Sequence, residues 1–261
     1  MKFVLVLILI YVLILTVTYC YQEKLLFFPQ AIDANYNYNL PGNATEVFLK
    51  TPDGETINGI FIRQNKPKVI VYFHGNGTSL LSWQRIADAL LPHASLLIVD
   101  YRGYGKSSGN FSENGFYTDA ETAIAFLLKE GFNMQQIIVY GRSLGSGIAI
   151  EMAVRHTLGG LILESPYTSV VDVGKKQHPY LLPALLLKYR FYSLNKAPAI
   201  KTPALIFHGE KDATIPVAQG RKIAAALPQC KLITIPDADH ANVPAFEIYQ
   251  QSLAAFLNQL P

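Results

Sequence analysis

Cysteine is nearly missing from this chain. It occurs twice in 261 residues, as Cys20 at the end of an apolar N-terminal run and as Cys230 deep in the sequence. Two cysteines so placed give no disulfide framework and say nothing of redox compartment. Metal-ligand spacing is missing too, since the six histidines and two cysteines form no cluster of the kind that holds zinc. Charge is scarce, at 16% of residues with a net +3. The basic residues are scattered, with Lys175-Lys176 and Arg221-Lys222 as isolated pairs, so nothing suggests a nucleic-acid partner. There is no internal repeat and no low-complexity tract. What the chain does have is apolar residues, half of the total, enough for one domain with a sizeable core plus a membrane segment.

That segment opens the chain. From Phe3 to Tyr21 no residue is charged, and as a helix the run would reach about 28 Å, close to a bilayer's hydrocarbon core. A cleaved signal peptide wants a shorter apolar stretch with small residues before the cut, where this chain has Tyr19 and Tyr21. Thr18-Tyr19 is a poor match to a lipoprotein signal ending at Cys20. An uncleaved transmembrane anchor over 1–22 is the favoured reading. With Lys2 as the inside charge, the rest of the chain falls on the periplasmic, luminal or extracellular side, although Lys24 on the other flank weakens the asymmetry. An aromatic-rich connector over 23–45 follows. It includes Leu25-Leu26-Phe27-Phe28-Pro29, too short to span and apolar enough to pack on the domain or sit at a lipid interface. The triplets Asn43-Ala44-Thr45 and Asn110-Phe111-Ser112 are glycosylation sequons of a kind common by chance.

From residue 46 to 261 the pattern alternates. Val47-Phe48-Leu49 and Ile57 to Ile62 read as a hairpin around Pro52-Asp53-Gly54. Lys68 to Phe73 and Leu96 to Val99 are near-continuous apolar runs, the mark of strands buried on both faces, and Ile137 to Tyr140, Gly160 to Leu163, Ala204 to Phe207 and Lys231 to Ile235 read as further strands. Helical patterns separate them, at 80–91, 116–130, 147–154, 217–227 and, with Val243, Phe246, Tyr249, Leu253, Phe256 and Leu257 at helical spacing, at the end of the chain. Such alternation predicts a mostly parallel, doubly wound α/β sheet with the hairpin as an antiparallel edge. Residues 168–200 break it. They are too long for a simple connection and hold Tyr180 to Leu187, which reads either as an ordinary capping helix or as a short apolar cap that lines an acyl pocket.

The pattern Gly141-Arg142-Ser143-Leu144-Gly145 lies between a strand and a helix. That context suits a serine nucleophile on a sharp turn, with flanking glycines to relieve clashes and helix N–H groups aimed where negative charge develops. A serine hydroxyl needs a base, and the base an orienting acid. His93, His156 and His178 sit in helical or cap segments, and His74 and His208 end strands. His240 follows the last strand, in a loop at the carboxyl edge where open α/β sheets bind ligands. Asp212 fits as the acid, with Glu164 as its rival, Asp100 as a weaker one, and Asp239 shaping the histidine loop. Oxyanion donors are expected from the backbone N–H groups of Leu144 and of Asn76, in His74-Gly75-Asn76-Gly77. In this reading His74 braces that loop.

Taken together, Leu26-Phe27-Phe28-Pro29 after an anchor, His74-Gly75-Asn76-Gly77, Asp100 to Gly109, Gly141 to Gly147, and His208-Gly209 through Asp212 to Ile215-Pro216 make the chain resemble an α/β-hydrolase-fold serine hydrolase from about residue 46 to its end. Within that superfamily it is similar to the membrane-anchored Bem-type proteins and to the α/β-hydrolase-domain proteins that include palmitoyl-protein thioesterases. The thioesterase members carry a cysteine-rich N-terminus, where this chain has an apolar run and Cys20 alone. The resemblance implies an α/β-hydrolase fold with a short helical cap behind one transmembrane helix. It implies Ser143 as nucleophile, His240 as base, Asp212 as acid, and Asn76 with Leu144 as the oxyanion hole, acting on a small-molecule ester or acyl substrate without metal or cofactor. The same machinery would serve a thioesterase, amidase or peptidase. A non-catalytic tethered binding module has the intact triad against it, and a haloalkane or epoxide hydrolase would need a carboxylate where Ser143 stands.

Overall fold

The computed structural model describes residues 2–260. Met1 and Pro261, the outer limits of the expected anchor and catalytic domain, lie outside the described residues. The chain opens with one long helix, α1 (Lys2–Phe27), which runs through Gln22-Glu23-Lys24 without a break. It is long and apolar enough to cross a membrane, with a mean hydropathy of 2.8 over its most apolar window. The following segment is tied down. Its Ala31 bridges Gly105, with Ile32 N–H donating to the Gly105 carbonyl and Gly105 N–H to that of Gln30.

Strands β1 (Ala44–Lys50) and β2 (Thr56–Ile62) form the expected hairpin. Then come β3 (Val69–Phe73), α2 (Trp83–Leu90), β4 (Ser95–Val99), α3 (Glu113–Lys129), β5 (Ile137–Arg142), α4 (Leu144–Arg155) and β6 (Gly160–Glu164). Three short helices, α5 (Val170–Gln177), α6 (Pro183–Leu186) and α7 (Ser193–Lys196), form the cap. The chain closes with β7 (Ala204–Gly209), α8 (Val217–Ala226), β8 (Cys230–Ile235) and α9 (Glu247–Gln259). The strand order is β1-β2-β4-β3-β5-β6-β7-β8; β2 runs antiparallel to β4, and the strands from β4 to β8 are parallel.

Period-two side-chain alternation divides the core. Val69, Val71 and Phe73 of β3 face a layer with Phe116, Ala120 and Ile124 of α3 and Ile148 of α4. Ile70 and Tyr72 face Ile86 and Leu90 of α2 and Leu253 and Leu257 of α9. Both faces are covered, which is why these strands read as unbroken apolar runs rather than as alternations. Helix α3 starts where the Ser112 hydroxyl accepts from the Gly115 N–H, and it ends beside Lys129, favourable for the helix dipole.

Two elements depart from their patterns. The last helix begins at Glu247, not Val243, because Pro244 sits in a separate short turn and Phe246 is extended. The apolar stretch Tyr180 to Leu187 is not one helix. A short turn that opens at Pro179 ends by Leu181, Leu182 adopts a left-handed conformation at φ 49°, and a separate helix starts at Pro183.

Candidate active site

Four loops meet at the carboxyl edge of the parallel strands. Ser143 lies between β5 and α4 with φ 49° and ψ −116°, a strained conformation for a residue with a side chain. The turn is this tight because α4 starts at once and leans on its neighbours. A Cβ on Gly145 would stand 2.1 Å from the Phe73 carbonyl oxygen, and one on Gly141 would stand 2.4 Å from that of Gly145. Ser143 occupies the N-cap position but makes no capping bond, which leaves its hydroxyl free for another partner. The Ser143 N–H donates to the Glu164 carbonyl at 2.9 Å, fixing the elbow against β6.

That partner is His240, in the loop after β8. Its Nε2 lies 3.0 Å from Ser143 Oγ, and its Nδ1 lies 2.8 Å from Asp212 Oδ2. The other Asp212 oxygen accepts the Ile215 N–H at 2.7 Å. Burial alone would push Asp212 up, but hydrogen bonds involving His208 and His240, the His240 charge and the Ile215 N–H together hold it well below the usual carboxylate range. His208 Nε2 is 3.5 Å from the carboxylate and 2.7 Å from the Ile215 carbonyl, so it supports the acid's loop from beneath. Asp239 shapes the histidine loop by accepting the Ala241 and Asn242 N–H groups.

The rival acids lie elsewhere. Glu164, fully buried, accepts from Arg142 Nε at 2.9 Å and the Tyr140 hydroxyl at 2.6 Å. Its partner Arg142 reaches on to donate to the His240 carbonyl at 2.9 Å. Sequence reasoning missed this strut, because Arg142 is the unspecified position of its motif. Asp100 sits under the other loop. It accepts the Leu80 N–H at 3.0 Å, and His74 Nε2 stands 3.3 Å from it but out of line for a hydrogen bond. His74 Nδ1 faces the Gly75 carbonyl and the Thr78 hydroxyl.

Leu144 and Asn76 flank the serine. The Gly75 position is so close that a Cβ there would stand 3.3 Å from Ser143 Cβ. The backbone N–H groups of Leu144 and Asn76 have no hydrogen-bond partner among the described residues, as a pair of oxyanion donors requires. The Asn76 side chain is engaged. Its Nδ2 donates to the Leu26 carbonyl of α1, and its Oδ1 lies 3.1 Å from the Tyr104 hydroxyl. That hydroxyl donates to the Phe27 carbonyl at 2.7 Å. Two of the carbonyls that every helix leaves unpaired at its C-terminus are thus capped from the site.

The cap joins α1 as well. The Gln22 side chain donates to the Leu186 carbonyl and accepts the Lys188 N–H, and Tyr189 donates to Glu23 at 2.6 Å. Phe27 packs edge-on against Phe116 and Tyr189. Between α1 and the cap runs a groove of about 400 Å³, lined chiefly by apolar side chains that include Leu26, Phe28, Val173, Leu181 and Leu187.

A parallel sheet with a serine at a strained strand–helix turn, joined through histidine to aspartate, defines a class of proteins before any relative is consulted. A family model described as alpha/beta hydrolase fold matches residues 68–188. Protein L404 of Acanthamoeba polyphaga mimivirus, which carries the name of an alpha/beta hydrolase, is 33% identical over 237 residues, covering 85% of this chain and 87% of its own. Human alpha/beta hydrolase domain-containing protein 17B is 29% identical over 229 residues, 83% of this chain and 76% of that one. The Pyrococcus furiosus esterase Pf2001 superposes with a TM-score of 0.72 at 20% identity, over 89% of this chain and 98% of that one. The chain belongs to the α/β-hydrolase family.

Proposed function

We propose that the protein is a membrane-anchored serine hydrolase that cleaves carboxylic esters through an acyl-enzyme. The observation that carries this reading is the unbroken chain from Ser143 Oγ through His240 to Asp212. Ser143 attacks the ester carbonyl and passes its proton to His240 Nε2. Asp212 keeps the Nδ1–H tautomer and stabilises the imidazolium that forms. The N–H groups of Leu144 and Asn76 receive the oxyanion, each worth about 3 kcal/mol in the transition state. Collapse expels the alcohol, which takes the proton from His240. Water then attacks the acyl-enzyme with His240 again as base, releasing the acid and restoring Ser143. Every proton moves between named atoms. The apolar cap and the groove beside it support an acyl or lipid-like substrate. The esterase neighbours support the bond type, and the length of α1 supports the anchor.

Labelling with a fluorophosphonate, on the wild type and on Ser143→Ala, tests the reading, followed by a p-nitrophenyl ester series of rising chain length. Labelling and hydrolysis that vanish in Ser143→Ala are expected. Folded wild type that neither labels nor hydrolyses would remove it.

A further inference from the structure

The length of α1 and its place beside the cap are hard to reconcile with a cap in water. The Tyr11 hydroxyl donates to the Tyr180 carbonyl at 2.6 Å, and Gln22 clasps Leu186 and Lys188 further along. The cap therefore lies along α1 from residue 11 to residue 22, about 16 Å of helix. A hydrocarbon core is about 30 Å thick. If that whole length stood in water, residues 2–10 alone would remain to span, and they reach only about 14 Å. Either α1 does not cross, or the cap goes into the bilayer with it.

The cap's surface is suited to the second case. Its tip carries exposed apolar side chains, with Tyr180, Leu182 and Leu185 exposed by 60%, 42% and 72%, while the exposed polar residues Lys175 to His178 precede them in the chain. Exposed large apolar side chains grouped within six residues mark a surface that meets something other than water. The buried polar group between cap and helix, Gln22, has both side-chain polar atoms bonded, as a low-dielectric setting demands. Higher up, the Lys188 ammonium lies 4.6 Å from the Tyr19 ring centroid and that of Lys24 lies 5.8 Å from Tyr21. Tyrosines and snorkelling lysines gather at headgroup level, which puts the Tyr11–Tyr180 contact about 12 Å deeper.

We infer that the cap tip around Tyr180–Leu185 is embedded in the bilayer beside α1, and that the groove between them takes one acyl chain of a membrane-resident lipid directly from the hydrocarbon. The inner end of the groove abuts the candidate oxyanion loop. Leu26 and Phe28 line it; the Leu26 carbonyl is held by Asn76, and a Cβ on Gly77 would touch Phe28. The embedding rests on the proposed membrane anchor, which position 9 tests below, and the delivery of that chain to Ser143 rests on the hydrolase reading.

The test uses the full chain in phosphatidylcholine liposomes. On a background of Cys20→Ser and Cys230→Ala, single sites Leu182→Cys, Leu185→Cys, Leu9→Cys in α1 and Lys231→Cys at the far end of the sheet carry bimane. Brominated acyl chains should quench bimane at least twofold at positions 182, 185 and 9, and leave position 231 unchanged. Quenching at 9 without 182 and 185 would overturn the proposal, and so would quenching at none. In the same liposomes, a phosphatidylcholine with a diazirine midway along one acyl chain should crosslink to Val173, Leu181 or Leu187. Adducts on α1 alone would remove the groove from the proposal. Neither readout needs turnover, so failure of ester hydrolysis would overturn the catalytic reading and leave these results standing.

Discussion

Two histidine–aspartate pairs stand at the carboxyl edge of one sheet, His240 with Asp212 and His74 with Asp100. In composition they are the same, and each histidine has its carbonyl held, His240 by Arg142 and His74 by the Tyr101 hydroxyl, both at 2.9 Å. They differ in what surrounds the carboxyl group. Asp212 is held well below the usual range by its hydrogen bonds. Asp100 is pushed up by burial, which the nearby His74 and the Leu80 N–H only partly offset. One environment keeps a negative charge beneath an imidazole that faces a serine. The other favours a neutral acid beneath a loop. Partners and burial, not residue type, separate a candidate catalytic pair from a brace.

The comparison can be broken most directly at the acids. Asp212→Asn should lower kcat about 10⁴-fold by removing the acceptor that fixes the His240 tautomer. Asp100→Asn, measured in the same ester assay, should lose far less. Equal losses would erase the distinction. The two carbonyl supports come next. Arg142→Gln leaves buried Glu164 without its cation and should cost about 3–5 kcal/mol in a denaturant titration. Tyr101→Phe removes one neutral hydrogen bond and should cost about 1 kcal/mol.

Acidity sharpens the contrast further. His240 must be neutral to accept the Ser143 proton, so kcat/KM should fall on the acid side, about tenfold per pH unit once the histidine is protonated. Asp212, with its pKa lowered, stays anionic through that limb, which should therefore follow one proton. A rate flat between about pH 5 and 8 would contradict His240 as base. The smallest effect concerns stability. The folded pKa of Asp100 is raised, so its contribution is fully present below the unfolded value and is lost as pH rises through the folded one. The Asn variant lacks that loss. Its Tm relative to wild type should be more favourable at pH 7 than at pH 4.

Much of this was legible in the chain. Strands buried on both faces announce themselves as apolar runs, and Gly141 to Gly145 names its own turn because close approach of α4 to β3 tolerates no side chain. The sequence favours Asp212 as the acid but leaves Glu164 and Asp100 as rivals. Glu164 ends one strand and Asp212 follows another, and only the fold shows that Arg142 and Tyr140 occupy the first while His240 meets the second. The packing of Leu25 to Phe28 on the domain was one of two open expectations, but the bonds that fix it were hidden. The end of α1 is held through the main-chain carbonyls of Leu26 and Phe27, and main-chain atoms leave no signature in a sequence. The broken cap was readable in Pro179 and Pro183, whereas its contact with Tyr11 joins residues 169 apart.

The bond from Asn76 to the Leu26 carbonyl bears on how the protein can be handled. A fragment trimmed before Pro29 to gain solubility would lose the acceptors of both Asn76 and Tyr104, together with the Phe27 ring that fills the space beside Phe116 and Tyr189. Such a fragment could keep its sheet and its serine turn and still present a slack loop at Asn76, the candidate oxyanion donor. Weak turnover by it would describe the cut rather than the enzyme. The seam between α1 and the sheet domain passes through the middle of a packed interface.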